Sequence, residues 1–265
     1  MMHRLVRIGL IVALLALVGG WAGSVQGVSA QGTTYTDTMD SSATGLLDST
    51  SPDAARFVYG YQNSQFVIQS IDESWSGDLL AIASVPVMSD ATVAVDFAIA
   101  GDLTGKYAFV GCRASSDSST AYIFEVHPGT GVANIWRFDA ENATNLGTVT
   151  DSTTINIGSG NNRIEITCQG STITGTVNGT QLLTATDATY TSGDVFIGTG
   201  KTDETTGTLL TGFDNLTITD LSGAAVAPTQ APALPTAIAQ PTEIPAVPTQ
   251  APVEPTQAGG FPTAI

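Results

Sequence analysis

Between residues 33 and 222, apolar residues recur at every second position in short runs, and no long segment carries the spacing of an amphipathic helix. Side chains of an extended strand point alternately to its two faces, so this pattern commits the chain to strands with one oily face each. In DATVAVDFAIAGD, residues 90–102, Val93, Val95, Phe97 and Ile99 share one face, and Thr92, Ala94, Asp96 and Ala98 share the other. Clusters of Gly, Asn, Asp and Ser separate the runs, as reversals of the chain require. Two strands flank Asn63-Ser64 in RFVYGYQNSQFVIQSI, and two more flank Pro128 to Gly131 in AYIFEVHPGTGVANIWRFD. About a dozen such strands fit within about 190 residues, enough for one large core. That number predicts two packed sheets rather than a minimal immunoglobulin-type sandwich.

The stretch RIEITCQGSTITGTVNGTQLLTATD, residues 163–187, reads as a three-stranded meander. Ile164, Ile166 and Cys168 alternate with Glu165 and Thr167, so Cys168 faces the core. Asn178-Gly179 suits a two-residue type I′ turn, which needs positive φ at both positions. That turn accounts for the Asn178-Gly179-Thr180 triplet without invoking glycosylation, and Asn142-Ala143-Thr144 and Asn215-Leu216-Thr217 are read the same way. Cys112, in KYAFVGCRAS, shares a face with Ala108 and Val110, whereas Phe109 and Arg113 take the other. Both cysteines are expected to point inward, and an exported chain permits oxidation. The expectation is a Cys112–Cys168 disulfide, with two buried free thiols as the alternative. The spacing fits neither a metal motif nor a catalytic Cys–His pair.

The ends of the chain differ from its middle. Arg4 and Arg7 precede an apolar run from Ile8 to Val18, and Val28-Ser29-Ala30 supplies a small-residue cleavage site before Gln31. Residues 1–30 therefore read as a secretory signal peptide, with an uncleaved anchor as the alternative. From Ala227 the composition shifts to APTQAPALPTAIAQPTEIPAVPTQ, and nine of the twelve prolines follow residue 222. Proline fixes φ and removes a backbone donor, so 223–265 is expected to be a disordered Pro/Thr/Gln-rich stalk behind a folded domain over 31–222. Losing Arg4 and Arg7 from the 8 Lys and Arg leaves 6 against 24 acidic residues, a formal charge of −18. That balance argues against binding nucleic acid or anionic lipid, which need cationic surfaces. The expected location is outside the cell or at its surface, with no membrane insertion of the mature chain and with attachment through the tail as one option.

The order VGCR, AYIFEVHPGTGVANIWRF, NRIEITCQGSTITGTVNGTQLL, YTSGDVFIGTG and TGFDNLTI resembles exported bacterial domains of the concanavalin A-like lectin/glucanase superfamily. Within it, the likeness is to laminin G-like domains and the 3-keto-disaccharide hydrolase domain family, over roughly residues 34 to 220. The early part departs from the family pattern: TDTMDSS puts Met39 where an aromatic usually stands. The resemblance implies an all-β jelly-roll sandwich of two antiparallel sheets, one of them concave. It also implies a glycan or polysaccharide as partner, with glycan recognition or hydrolysis as the function. The Glu-x-Asp-x-x-Glu triplet of the laminarinase-type enzymes is missing, since no Glu here is followed two residues later by Asp. The expected function is therefore a secreted or surface-displayed, non-catalytic carbohydrate-binding module. The alternatives are a glycan-active hydrolase and an adhesive domain with a protein partner.

Four residues stand out as ligand-binding candidates. Arg113 and Glu125 are expected on neighbouring outward faces, either contacting sugar or forming an exposed ion pair. Trp136 is the candidate aromatic platform, although its phase with Val132 and Phe138 also suits a core. Trp75, in DESWSGD, is expected to be exposed, as a loop anchor or a ligand contact. His127, the one histidine after residue 30, reads as a solvated turn residue. Asp214 shares parity with the apolar Leu216 and Ile218, so either the strand bulges after Phe213 or a carboxylate points inward. No cofactor is required; a structural calcium held by Asp40 and Asp214 is one way to satisfy an inward carboxylate, as related lectin-like folds hold calcium.

Overall fold

The computed structural model of the chain describes residues 32–223, apart from 43–44, 141, 159–160 and 204. The signal peptide expected over 1–30 and the stalk expected beyond residue 223 lie outside the described residues. Within them there are fourteen strands, every pair antiparallel, in two sheets. No described helix is long and apolar enough to cross a membrane.

The larger sheet is built around β14 (Leu209–Asp220), the longest strand. β5 (Ala91–Ile99) runs along one side of it. On the other side, β3 (Gln65–Ser70) pairs with its first half and β1 (Thr34–Asp37) with its second. β2 (Phe57–Gln62) closes one edge, while β10 (Asn162–Gln169), β11 (Thr172–Val177) and β12 (Thr180–Thr186) extend the other. The smaller sheet runs β4 (Gly77–Ile82), β13 (Asp194–Lys201), β6 (Lys106–Ala114), β7 (Thr120–His127), β8 (Val132–Asp139) and β9 (Asn142–Val149). Two-residue turns at Asn63-Ser64 (φ 52° and 57°) and Asn178-Gly179 (φ 48° and 78°) have the positive φ that the hairpin reading requires.

The inner faces meet in one core. Val93, Val95, Phe97 and Ile99 of β5 and Ile164, Ile166 and Cys168 of β10 pack against Val110, Cys112, Tyr122, Phe124 and Val126 from the other sheet. Phe124 lies over Gly175, where a Cβ would come within 2.4 Å of the ring. A disulfide joins Cys112 to Cys168 and so ties the two sheets together across 56 residues of chain. The Thr199 and Thr211 hydroxyls, both fully buried, satisfy one another at 2.8 Å across the same space. The first strand is pinned by Asp37, which accepts Tyr61 Oη at 2.6 Å and the backbone N–H groups of Met39 and Leu46 at 2.8 and 3.1 Å. Met39 fills its slot at 0% exposure, held at φ 58° by that contact.

Two bulges redirect side chains that simple alternation places wrongly. On β6, Gly111 and Ala114 face Phe196 and Asp194, so Cys112 and Arg113 together oppose Val195. Arg113 adopts φ 55° and is 3% exposed. The expectation of an outward Arg113 beside Glu125 is thereby corrected: its guanidinium donates to Ser89 O (2.8 Å), Tyr190 O (2.9 Å) and Asp90 Oδ1 (3.0 Å). On β14, the register shifts between Asp214 and Thr217, with Asn215 at φ 52°. Leu216 thus enters the core while Asp214 stays half-buried opposite Asp96 and accepts Asn215 N–H at 2.8 Å. The bulge removes the inward carboxylate that called for calcium, and Asp40 is exposed.

Candidate functional site

The outer face of the six-stranded sheet carries most of the unusual chemistry. Its strands present three transverse rows, set by the antiparallel register. The first row holds Asp78, Gly200, Tyr107 and His127. The second holds Leu80, Gly198, Phe109, Glu125, Asn134 and Thr148. The third holds Ile82, Phe196, Gly111, Ile123, Trp136 and Asn145.

Aromatic rings lie across glycines of the neighbouring strand in all three rows. A Cβ on Gly198 would come within 2.2 Å of the Phe109 ring, one on Gly111 within 2.1 Å of Phe196, and one on Gly200 within 2.6 Å of Tyr107. The two strands therefore read as complements, Tyr-x-Phe-x-Gly in KYAFVGC against Phe-x-Gly-x-Gly in FIGTGK. Flattened rings fill the space left by the missing side chains, as aromatic residues do beside strand glycines. Phe109 and Phe196 end up 1% and 2% exposed, with Leu80, Ile82, Trp136 and Phe138 packed against them.

Beside this apolar floor sits a polar cluster centred on Glu125. Its Oε1 meets His127 Nε2 at 2.6 Å, Asn134 Nδ2 at 3.0 Å and Trp136 Nε1 at 3.4 Å. Asn134 is fixed in turn by Thr148, whose hydroxyl donates to Asn134 Oδ1 at 2.8 Å. All three contacts use one oxygen, and Glu125 Oε2 has no hydrogen-bond partner among the described residues. The His127 ring packs against Tyr107, 4.9 Å away and tilted by 42°, and Tyr107 Oη donates to Asp78 Oδ1 at 2.8 Å. Asp78 reaches solvent, yet desolvation by the surrounding protein raises its carboxyl above the usual range. The Tyr107 hydroxyl opposes that shift and the Glu125 charge adds to it.

The sequence candidates fare differently. Glu125 and Trp136 meet on this face, and Trp136 is half-buried there rather than in the inter-sheet core. Trp75 is half-buried too, not exposed; it packs edge-on against Phe57 at 5.2 Å and anchors the loop before β4. Arg113 is committed to the loop contacts above. Asp78, Tyr107, Asn134 and the structural role of His127 escape sequence reading. His127 closes a strand and packs against a ring, so the turn beside Pro128 misleads. The shared parity of Glu125 with His127 was the available signal. Among the described residues, no group of three or more His, Cys, Asp or Glu gathers to hold a metal ion. A cavity of about 430 Å³ opens on the outer face of the other sheet and has no ionisable side chain in its lining.

No family model matches the chain, and no curated protein does. Solved structures do. A β-glucanase of Bacillus licheniformis superposes with a TM-score of 0.55 at 12% identity, over 71% of this chain and 98% of that one. A β-1,3-1,4-glucanase (lichenase) from a mouse hindgut metagenome gives 0.53 at 10% identity, over 71% and 99%. A Bacillus subtilis protein of unknown function with a galectin-like fold gives 0.53 at 9% identity, over 72% and 97%. At such identities the likeness is one of fold, an antiparallel jelly roll of two sheets.

Proposed function

We propose that the chain is a carbohydrate-binding module, displayed outside the cell, that holds a sugar on the outer face of its six-stranded sheet. The observation that carries this reading is the convergence of His127, Asn134 and Trp136 on one oxygen of Glu125, which leaves Oε2 free to accept from a hydroxyl. Trp136 offers a ring face for the apolar side of a pyranose, and Asp78 a second acceptor. The glucanase neighbours support a glycan as the ligand class, and the Gly-Cys-Arg, Asn-Gly and Phe-Asp-Asn segments support kinship with laminin G-like and 3-keto-disaccharide hydrolase domains. Binding on this reading needs no cofactor.

The test is a glycan array followed by calorimetric titration of the strongest ligand. Trp136→Ala and Glu125→Gln are each expected to weaken binding tenfold or more; loss of the Trp136 packing on Phe109 and Phe196 also lowers the melting temperature, so affinity is read well below the unfolding range. Unaltered affinity in both variants, or no glycan retained at all, overturns the proposal.

A second reading rests on Asp78. A carboxyl raised in pKa by desolvation, with a second carboxyl group on the same face, is the pattern of a glycosidase acid paired with a base or nucleophile. On this reading Asp78 gives its proton to the leaving glycosidic oxygen as the C–O bond breaks, while Glu125 takes a proton from the water that adds to the anomeric carbon from the opposite side of the ring. Product analysis after incubation with polysaccharides and 3-keto-disaccharides tests it: turnover lost in both Asp78→Asn and Glu125→Gln supports hydrolysis, and no turnover by the unaltered chain removes it.

A further inference from the structure

We propose that a trough on the outer face of the eight-stranded sheet is a second binding site, shaped for a neutral, extended glycan chain. Three cavities line up along β14. The first, about 80 Å³, lies at Asp96, Asn161 and Asp214; the second, about 430 Å³, centres on Gly212; the third, about 310 Å³, ends at Lys106, Thr206 and Thr208. The first two share Gln65, Ala98 and Gly212, and the last two share Gln69, Ala100 and Leu210, so they form one continuous trough. From Asp214 to Thr208 it follows six residues of chain, about 20 Å at about 3.3 Å per residue.

The register explains why the trough exists. Gly60, Val67, Gly212 and Ala98 stand side by side across β2, β3, β14 and β5. This low row crosses the trough at right angles and opens its central cavity, with Gln65, whose amide overlies Gly212, on one side and Gln69 on the other. Three features define the ligand. The central lining is uncharged, and its amides of Gln62, Asn63, Gln65 and Gln69 both donate and accept, matching hydroxyl groups. Leu210, 36% exposed, offers apolar surface for a sugar's C–H face. Asp214 at one end, beside an Asp96 that Arg163 pairs at 3.0 Å, and Asp102 at the other, on a chain of formal charge −16, disfavour a polyanion. At the other end Lys106, whose backbone N–H donates to Leu103 O at 3.1 Å, makes no side-chain hydrogen bond among the described residues; its ammonium lines the cavity together with Asp102 and has donors to spare. A peptide fits less well: β3, β14 and β5 are each paired on both sides here, so the floor offers no strand edge for backbone pairing.

This inference does not depend on the six-stranded face binding anything, and one experiment separates the two. The full chain, isotopically labelled, is titrated with laminarihexaose, cellohexaose and, as an anionic control, hexagalacturonate, following the side-chain amide resonances of Gln65 and Gln69. Saturable shifts are expected with a neutral hexasaccharide, retained in Trp136→Ala and lost in Ala98→Trp, which fills the trough. The double variant Gln65→Ala/Gln69→Ala, read by calorimetry, is expected to lose at least tenfold in affinity should the tryptophan disturb folding. Shifts confined to residues around Trp136, shifts that survive Ala98→Trp, absence of any shift with neutral sugars, or preference for hexagalacturonate each overturn the proposal.

Discussion

The two outer faces of this sandwich are built on the same device and put it to opposite use. Both expose strand glycines in mid-sheet. On the six-stranded face, Gly111, Gly198 and Gly200 are roofed by the rings of Phe196, Phe109 and Tyr107, and the surface is closed and stiff. On the eight-stranded face, Gly212 is overlain by the amide of Gln65, a flexible chain end, and the surface stays open as a trough. A missing side chain is thus a socket whose meaning is set by what the adjacent strand supplies. An aromatic there turns it into rigid floor for a polar cluster, and an amide turns it into a recess.

Both faces are backed by one core, and the largest effect should fall on that core. Cys112→Ala with Cys168→Ala removes the only described covalent tie between the sheets and is expected to cost about 4 kcal/mol in the chain-entropy description. Denaturant unfolding followed separately at Trp136 and at the Gln65 and Gln69 amides should report one transition, shifted equally. Two separate transitions would mean that the faces belong to units held together chiefly by the disulfide.

Next comes the closed face itself. Gly198→Ala puts a Cβ within 2.2 Å of the Phe109 ring and 2.6 Å of the Leu79 carbonyl oxygen, where backbone must move. Overpacking of this kind costs about 1 to 3 kcal/mol. A melting temperature unchanged from the parent would show that the ring swings away freely and that the floor is not rigid.

This contrast also marks what the sequence made legible. Alternation predicted both the strands and their inward residues, because burial of one face leaves a period-two trace: Val93, Val95, Phe97, Ile99 and Cys168 all sit in the core. It also paired Cys112 with Cys168. It failed at Arg113, where one extra residue in the ladder inverts the parity beyond it and the flanking residues betray no conflict; at Asp214 a carboxylate in phase with Leu216 and Ile218 did betray one, and of its two explanations the structure shows the bulge. The Tyr107–Gly200 and Phe109–Gly198 matches were present in the letters, but they become visible only when β6 is known to lie beside β13. Trp136 shows the same limit. Its parity was read correctly, yet parity cannot say whether an apolar face looks into the core or onto an aromatic floor on the far side of the sheet. Asp78 carried no signal at all, since its neighbours Tyr107 and Glu125 come from other strands.

A smaller effect tests whether acid acts selectively on the six-stranded side. Asp187 follows β12 and accepts Tyr122 Oη at 2.6 Å, Arg137 Nη1 at 2.7 Å and Thr189 N–H at 2.8 Å, tying the loop to β7 and β8. Desolvation alone would raise its carboxyl, but the hydrogen bonds from Thr189, Tyr122 and Arg137 outweigh it and hold the group well below the ordinary carboxylate value of 3.8. A depressed native pKa means stability that is present above about pH 4 and is lost as pH falls toward the native value. Asp187→Asn is expected to lower stability by about 1 to 2 kcal/mol at neutral pH. It should also flatten the acid limb of a plot of stability against pH. An unchanged acid limb would assign acid sensitivity to other carboxylates.

The smallest change is the most pointed test of the comparison, because the two sheets should answer the same substitution with opposite signs. Gly212→Ala places a Cβ 2.5 Å from Gln65 Oε1, and the nearest atoms all belong to that one side chain. The amide can swing aside without moving backbone, whereas at Gly198 a carbonyl of the chain stands in the way. Replacing a strand glycine also reduces the freedom of the unfolded chain, worth about 0.5 to 1 kcal/mol in favour of the folded state. Gly212→Ala is therefore expected to leave stability unchanged or raise it slightly, and to shift the Gln65 amide resonances in the free chain. If it destabilises as much as Gly198→Ala does, Gln65 is held as firmly as Phe109, and the open trough is as rigid a surface as the aromatic floor behind it.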